Sequence, residues 1–403
     1  LNNSTFIFYK TKYNRYSLKA LLGAIEKYGL SENVLVEESI EEIKKIIKRN
    51  KKGIVLFSFP TTEVFNIELH LKQLNKLKKS FEIMLVAGGP HASGIPEQTL
   101  RMGFDIVVEG EGEEIVKDLL ENPFDKKGKI LKGKEVSLDN YPSFSKKFKI
   151  FGAIEITRGC PFMCAFCQTP RIFGITPRHR SIKRILEEVE IRVKWGKKDI
   201  RFITPNALGY GAKGKEPDFS TVEELLREIR KIGGKNVKIF LGTFPSEIRP
   251  DFVTQESARI LKAYVDNDNI TIGAQSGSDR MLEILRRGHG VKDVINAVKI
   301  LRKQGFKVNV DFIFGFPEEK EKDAKESLKT MRLLIKMGAR IHAHSFLPLP
   351  QTPLFGKETS PIPSYFLKEI ENFISKGALF GQWKKQIQLG EKLCKYFTER
   401  LTS

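Results

Sequence analysis

Two periods alternate along most of the chain. From Ser4 to about Glu121, short β-branched runs (Thr5 to Tyr9, Asn33 to Glu37, Ile54 to Phe59, Glu82 to Ala87, Asp105 to Val108) are separated by stretches of helical period (Ser17 to Tyr28, Ile40 to Lys48, Glu63 to Lys78, Glu113 to Glu121). Such alternation predicts an α/β, doubly wound, Rossmann-like domain over residues 1–122, with helices on both faces of a parallel sheet. Residues 123–150 lack periodicity, carry Gly128, Gly133 and Pro142 among many lysines, and are expected to be a linker. The alternation resumes in a second domain over residues 151–350. Strands are expected at Ile154 to Thr157, Asp199 to Ile203, Val237 to Leu241, Asn269 to Gly273, Lys307 to Phe312 and Arg340 to Phe346, with amphipathic helices between them. Six repeats of this kind are too few for a closed eight-stranded barrel. Residues 351–403 read as a helical extension with a Lys-rich face.

In parallel α/β architectures ligands gather at the carboxyl ends of the strands. In the first domain those ends run into Ser58-Phe59-Pro60-Thr61-Thr62, Gly88-Gly89-Pro90-His91 and Glu109-Gly110-Glu111-Gly112-Glu113. Glycines there let the backbone come close to a flat or bulky ligand. The GxGxxG dinucleotide fingerprint is absent, and three glutamates in one loop would repel a pyrophosphate, so NAD is not expected. In the second domain the ends carry Thr204-Pro205-Asn206, Ser246-Glu247-Ile248-Arg249, Gly273-Ala274-Gln275-Ser276-Gly277-Ser278-Asp279 and Asp311-Phe312-Ile313-Phe314, with His342, His344 and Phe346 at the last.

The densest chemistry lies at Ile154 to Gln168, where Cys160, Cys164 and Cys167 form a CxxxCxxC array just after Gly159, with Phe162, Met163 and Phe166 between them. Three thiolates in one sheltered loop suit a soft metal centre. Structural zinc is the rival reading, but it normally completes four N/S ligands in CxxC pairs, and neither a second pair nor a nearby His is present. An iron with an open position fits better. The remaining cysteine, Cys394, stands alone late in the chain and reads as an ordinary thiol.

With an aromatic, Phe166, before its last cysteine, this array resembles the signature of the radical SAM enzymes. GGPHAS and VVEGEGE ahead of it resemble the cobalamin-binding domain of the B12-dependent branch of that superfamily, of class B methyltransferase type. The resemblance implies an open (β/α)6 partial TIM barrel for the second domain. It implies that Cys160, Cys164 and Cys167 hold three irons of a [4Fe-4S] cluster, whose fourth iron binds S-adenosylmethionine (SAM), cleaved on reduction to a 5′-deoxyadenosyl radical. By place, Phe166, Thr204, Asn206, Ser246, Glu247, Gln275, Ser276, Arg286 and Phe314 become the expected SAM contacts. Tyr16, Ser58, Phe59, Thr61, Thr62, Gly88, Gly89, His91, Glu109, Gly110 and Glu111 become those to cobalamin. The Asp-x-His-x-x-Gly motif that places an imidazole under cobalt elsewhere is missing, so His91 is expected either to touch the corrin or to cap the next helix. Tyr16, Glu247 and His344 are the candidates for acting on the reaction itself.

The activity implied is transfer of a methyl group from methylcobalamin to an unactivated carbon, with a ferredoxin or flavodoxin as electron donor. A peptide or protein side chain is one substrate class the resemblance offers, glutamine of methyl-coenzyme M reductase being the named candidate. Gln275-Ser276-Gly277-Ser278-Asp279 also resembles methylthiotransferases, but that family carries three more cysteines in its first domain and none precedes Cys160 here. A B12-dependent radical cyclase is a further alternative.

Charge adds a reading from another class, an RNA-binding Fe-S protein: 69 Lys and Arg face 49 Asp and Glu, for a net charge of +20. The lysines are mixed with glutamates along helical faces and the aromatics fall in apolar runs, which is the pattern of solvated surfaces and cores and argues against a nucleic-acid groove. No apolar run approaches the roughly twenty residues of a membrane span, no signal-peptide pattern opens the chain, and four cysteines with three in one motif exclude a disulfide framework, so a cytoplasmic protein without a membrane partner is expected.

Overall fold

The computed structural model describes residues 4–401, which divide into two compact units, one up to Ile154 and one from Glu155 onward. The first runs β1 (Phe6–Tyr9), α1 (Arg15–Lys27), β2 (Val34–Glu37), α2 (Ile40–Asn50), β3 (Lys52–Ser58), α3 (Val64–Leu77), β4 (Glu82–Gly88), α4 (Gly89–Gly94), α5 (Pro96–Arg101), β5 (Ile106–Glu109), α6 (Ile115–Glu121) and β6 (Lys129–Lys132). Its six strands lie in the order β2-β1-β3-β4-β5-β6 and pair in parallel.

The period of two in each strand feeds two cores. Phe6, Phe8, Ile54, Leu56, Met84, Val86, Ile106 and Val108 pack on one face of the sheet; Ile7, Val55, Phe57, Leu85, Ala87 and Val107 pack on the other. Both faces are covered by helices, which is why the strands read as unbroken apolar runs. The strand order reverses between β1 and β3, the switch point at which open parallel sheets bind ligands.

Residues 123–150, expected as a linker, are part of this unit. β6 pairs with β5 over Ile106↔Lys129 to Glu109↔Lys132. Val136, Leu138, Tyr141 and Phe144 are buried, Tyr141 Oη lies 2.7 Å from Tyr28 Oη, and Ser145 Oγ donates to Glu26 at 2.6 Å. A four-residue edge strand with lysines at both ends and isolated apolar anchors carries too little periodicity to be read from sequence.

Three two-residue strands open the rest of the chain: β7 (Ile154–Glu155), which spans the boundary between the units, β8 (Thr157–Arg158) and, after α7 (Thr169–Phe173), β9 (Arg178–His179). It continues with α8 (Ile182–Lys194), β10 (Asp199–Ile203), α9 (Phe219–Gly233), β11 (Lys238–Phe240), α10 (Gln255–Tyr264), β12 (Asn269–Gln275), α11 (Asp279–Ile284), α12 (Val291–Lys303), β13 (Lys307–Phe314), α13 (Glu321–Lys336), β14 (Ala339–Ser345), α14 (Ser364–Ser375), β15 (Leu379–Gly381) and α15 (Trp383–Leu401). The strand orders β11-β10-β7 and β12-β13-β14-β15 are joined by a parallel bridge between Ile248 and Ile272. This is the open (β/α)6 partial barrel. The carboxyl-terminal extension adds β15, parallel to β14, between its two helices; three residues are too few to show a period.

An ion triad is buried in this unit. Arg180, on the loop after β9, lies 3.4 Å from Glu188 of α8, and Arg192, one turn on, lies 4.0 Å from the other Glu188 oxygen; all three side chains are at most 5% exposed. Burial pulls Arg192 down to about 10 despite Glu188. Glu188→Ala leaves two guanidiniums without their shared anion, and urea unfolding should show a loss of about 3–5 kcal/mol, whereas Glu187→Ala, on an exposed pair, should cost less than about 1 kcal/mol.

Candidate functional site

The cysteine loop connects β8 to α7. Gly159 starts it at φ +85°, and a Cβ there would stand 2.5 Å from the Thr176 carbonyl oxygen, so only glycine fits. Met163 keeps a positive φ of +43° between the first two cysteines. Arg171 Nη1 then clamps the loop from α7 by donating to the carbonyls of Cys164 (3.0 Å) and Cys167 (2.6 Å), and Ala165 N donates to Leu285 O at 2.9 Å.

Cys164 is buried and Cys160 and Cys167 are half-buried. Burial pushes the Cys160 thiol up to about 11 and the Cys167 thiol up as well, so the thiolates form on ligation of a cationic centre rather than standing free.

Two buried arginines supply positive charge. Arg287 donates to Cys164 Sγ at 3.1 Å, to Gly273 O at 2.7 Å and to His289 Nε2 at 3.2 Å. Arg249 donates to Arg287 O at 2.6 Å and to Asp251 at 3.0 Å, and its guanidinium carbon sits 3.5 Å from the centroid of the Phe162 ring. A cavity beside Cys160 is lined by Gly159, Phe162, Thr204, Asn206 and Phe252. Asn206 Nδ2, Ser246 Oγ and Arg249 Nη1 are buried at this end of the barrel with no protein partner. Orphaned donors beside a three-cysteine loop fit a polar, partly anionic ligand such as the methionyl end of SAM.

The structure sorts the residues expected at SAM. Asn206 accepts from Arg249 N at 3.2 Å, and Thr204 Oγ1 donates to Asn206 O at 2.9 Å, which sets the amide in place. Phe166 is half-buried against Phe316, with Arg287 over its ring. Gln275 is half-buried with φ +75°, at a register shift in β12 between Gly273 and Gln275; such strain re-aims a side chain.

Ser276, by contrast, serves the scaffold. It lies 3.4 Å from Ser327 Oγ on α13 and accepts from Ser278 N; Gly277 N donates to Ser327 Oγ at 3.1 Å, and Ser278 Oγ donates to Asp323 at 2.7 Å. Burial would raise the Asp323 carboxyl, but Arg280 and Ser278 hold it down to about 2. Of the two adjacent arginines, Arg287 reaches the cysteines while the expected Arg286 is exposed. Phe314 has the opposite facing to that of an adenine platform: strand alternation sends it away from the side of Asp311 and Ile313, onto Phe366 and Trp383. Glu247 is buried enough, and close enough to Asp311, for its carboxyl to rise to about 7. His344 is half-buried, 3.3 Å from His342.

In the first unit the switch point carries Tyr16, Ser17 and Ser58, with Ser17 Oγ 2.8 Å from Ser58 Oγ. Tyr16, Ser58, Thr62, Gly88, Gly89, Glu109 and Gly110 keep accessible surface. Gly89 has φ +88°, and a Cβ there would meet Phe59 N and Ser58 Oγ at 2.7 Å, so only glycine lets the β4 end close onto the β3 end, where it leaves a shelf of bare backbone. Phe59, Thr61, His91 and Glu111 lie beneath this rim, each at most 4% exposed. The His91 ring stacks on Phe59 at 5.2 Å and lies 3.2 Å from Thr61 Oγ1, the placement of a scaffold residue rather than of a ligand to cobalt.

Comparison with known proteins identifies both domains. Residues 10–120 match the B12 binding domain and residues 154–331 the radical SAM superfamily. The chain is 26% identical over 393 residues to an uncharacterized protein of Methanocaldococcus jannaschii, covering 83% of this chain and 75% of that one. It is 29% identical over 294 residues to a putative methylthiotransferase of the same organism, covering 68% and 63%. Among solved structures it is similar to the radical SAM methyltransferase TsrM of Kitasatospora setae, with cobalamin and a [4Fe-4S] cluster bound, at TM-score 0.66 and 16% identity over 90% of this chain and 76% of that one, a likeness of fold. Joining those two domains in one polypeptide, the chain belongs to the cobalamin-dependent radical SAM enzymes, and its cofactors are a [4Fe-4S] cluster, SAM and cobalamin. No helix among the described residues is long and apolar enough to cross a membrane.

Two expectations follow. Arg287→Met removes the cation at Cys164, so spectroelectrochemistry of the reconstituted cluster should give a more negative reduction potential than the parent, because reduction adds negative charge where a positive one has been lost. Burial depresses His91 from 6.5 to about 4. The folded state then binds fewer protons than the unfolded state between those values, and stability falls as pH drops from about 6.5 towards about 4. This residue's share is about 2 kcal/mol between pH 7 and pH 5, and urea midpoints of His91→Gln at the two pH values should show a correspondingly smaller difference than the parent.

Proposed function

We propose that this enzyme is a methyltransferase, moving a methyl group carried on cobalamin to a carbon of its substrate. The observation that carries the reading is the pairing, in one chain, of a bare-backbone shelf at a sheet switch point with a three-cysteine loop at a barrel mouth. When bound, the cluster and SAM supply the radical that activates a carbon, and cobalamin supplies the methyl group, chemistry that side chains do not perform. The protein's own part is to hold and orient. Arg171 and Arg287 fix the cysteine loop, Asn206, Ser246 and Arg249 offer donors beside it, Gln275 stands at the break in β12, and Gly88 and Gly89 would present bare backbone to a macrocycle. The TsrM likeness supports this choice of reaction. The electron comes from a ferredoxin or flavodoxin.

Methylthio transfer is the second reading, favoured by the relative noted above, although the chain has four cysteines and three of them are in the loop. The test is anaerobic reconstitution with iron, sulfide and hydroxocobalamin, then incubation with SAM and a low-potential reductant. Methyl transfer requires both S-adenosylhomocysteine and 5′-deoxyadenosine among the products, and Cys164→Ala should lose 5′-deoxyadenosine while the corrin absorption stays. 5′-Deoxyadenosine without S-adenosylhomocysteine would overturn the methyltransferase reading in favour of a cyclase or rearrangement, and absence of both products would overturn it outright.

A further inference from the structure

The barrel contains a second constellation of metal-ligating atoms, outside the cysteine loop. β13 and β14 are parallel neighbours with Asp311 opposite His342 and Ile313 opposite His344. Strand period two therefore puts Asp311, His342 and His344 on one face, at adjoining positions. His342 Nδ1 lies 2.9 Å from Asp311 Oδ1 and 3.3 Å from His344 Nε2, and the three ligand atoms all lie within 4.8 Å of one another. Among the described residues this is the one such group of three.

As it stands, the group brings three lone-pair-bearing atoms together around one shared hydrogen. His342 Nδ1 faces both a carboxylate oxygen and another imidazole nitrogen. If it carries the proton and donates to Asp311, it meets His344 Nε2 as a second claimant on the same hydrogen. If His344 donates to it instead, its lone pair faces the Asp311 carboxylate. A cation at the common point satisfies all three lone pairs at once. Zinc or iron(II) bonds to nitrogen and oxygen at about 2.0–2.2 Å, so its ligand atoms stand about 2.8–3.6 Å apart for angles from octahedral to tetrahedral; the two close separations fall within that span.

The surroundings are those of a supported site. The His342 ring stacks on Phe380 at 4.7 Å and 14°, which holds its plane. His344 has a side-chain hydrogen bond with Gln386 of α15, whose Oε1 accepts from Ser345 N at 3.0 Å. Second partners of this kind set the tautomer and direction of a ligating ring. Asp311 is 6% exposed and both histidines are half-buried, so a bound ion would keep an accessible side. Glu247, half-buried near Asp311, adds a second carboxyl to the same field.

We propose that Asp311, His342 and His344 form a two-histidine, one-carboxylate site for a divalent transition-metal ion of the zinc or iron(II) class, separate from the cysteine loop and with coordination positions left open to a substrate oxygen or water. It is independent of the reaction assigned above.

The probe is zinc. Enzyme reconstituted to a full [4Fe-4S] cluster, so that the cysteines are occupied, is equilibrated with Zn2+ and its metal content and affinity measured. About one zinc per chain should be retained beyond the iron, with edge absorption showing nitrogen and oxygen neighbours near 2.0–2.1 Å and no sulfur. His344→Ala and Asp311→Asn should each weaken zinc binding at least about tenfold at unchanged iron content. Retention of no extra zinc by the parent overturns the proposal without recourse to any variant. So does a sulfur shell near 2.3 Å, or undiminished affinity in variants that keep iron content and urea midpoint.

Discussion

The site rests on the contact between a buried guanidinium and a buried sulfur. Arg287 has its three donor groups committed, one to Cys164, one to the β12 carbonyl of Gly273 and one to His289, and its own carbonyl is held by Arg249. Taking thiolates out of water is costly, as the raised thiols of Cys160 and Cys167 show, and a fixed cation beside them offsets that cost best where the dielectric is low. The same arginine ties the loop to the barrel strand that bears Gln275. The position of the cysteines and of the strand ends around them is thus set by one side chain that charge and geometry both require to stay in place.

Around that contact, parallel strands distribute roles by parity. In β13, Phe312 and Phe314 go to the packed side while Asp311 and Ile313 go to the other; in β14, Ile341 and Ala343 are buried while His342 and His344 keep accessible surface. One residue's step along the chain therefore separates a core residue from a site residue. The loops obey a different rule. Ser276, Gly277 and Ser278 look like ligand-binding residues by composition, yet all three are taken up by Ser327, Thr330 and Asp323 of α13, while Gln275, at the bulge, stands half-buried outside this network.

This explains what was legible in the sequence. Every long strand and helix of both units followed from periodicity, because burial on two faces or one writes itself into the residue pattern. The cysteine loop was legible from spacing, and the shelf at Gly88 and Gly89 from its glycines. The choice between Arg286 and Arg287 was not: it turns on Arg286 adopting φ +54°, which follows from how α11 ends and not from either residue's chemistry. Nor could the sequence show that His91 lies under Phe59 or that Asp311 meets His342 from 31 residues away, since both depend on pairings between strands distant in the chain. Parity decides Phe314 as well: it packs on Phe366 and Trp383, and its neighbour Ile313 takes the opposite face.

The short strand after α6 matters beyond its four residues. Without β6, the outer side of β5 would be a row of bare amides and carbonyls above an apolar seam that Val136, Leu138 and Tyr141 otherwise close. An amino-terminal half excised after Glu121 would thus carry an adhesive border, ready to recruit β-strands from other molecules. The same half excised after Ile154 would bring its own hem with it.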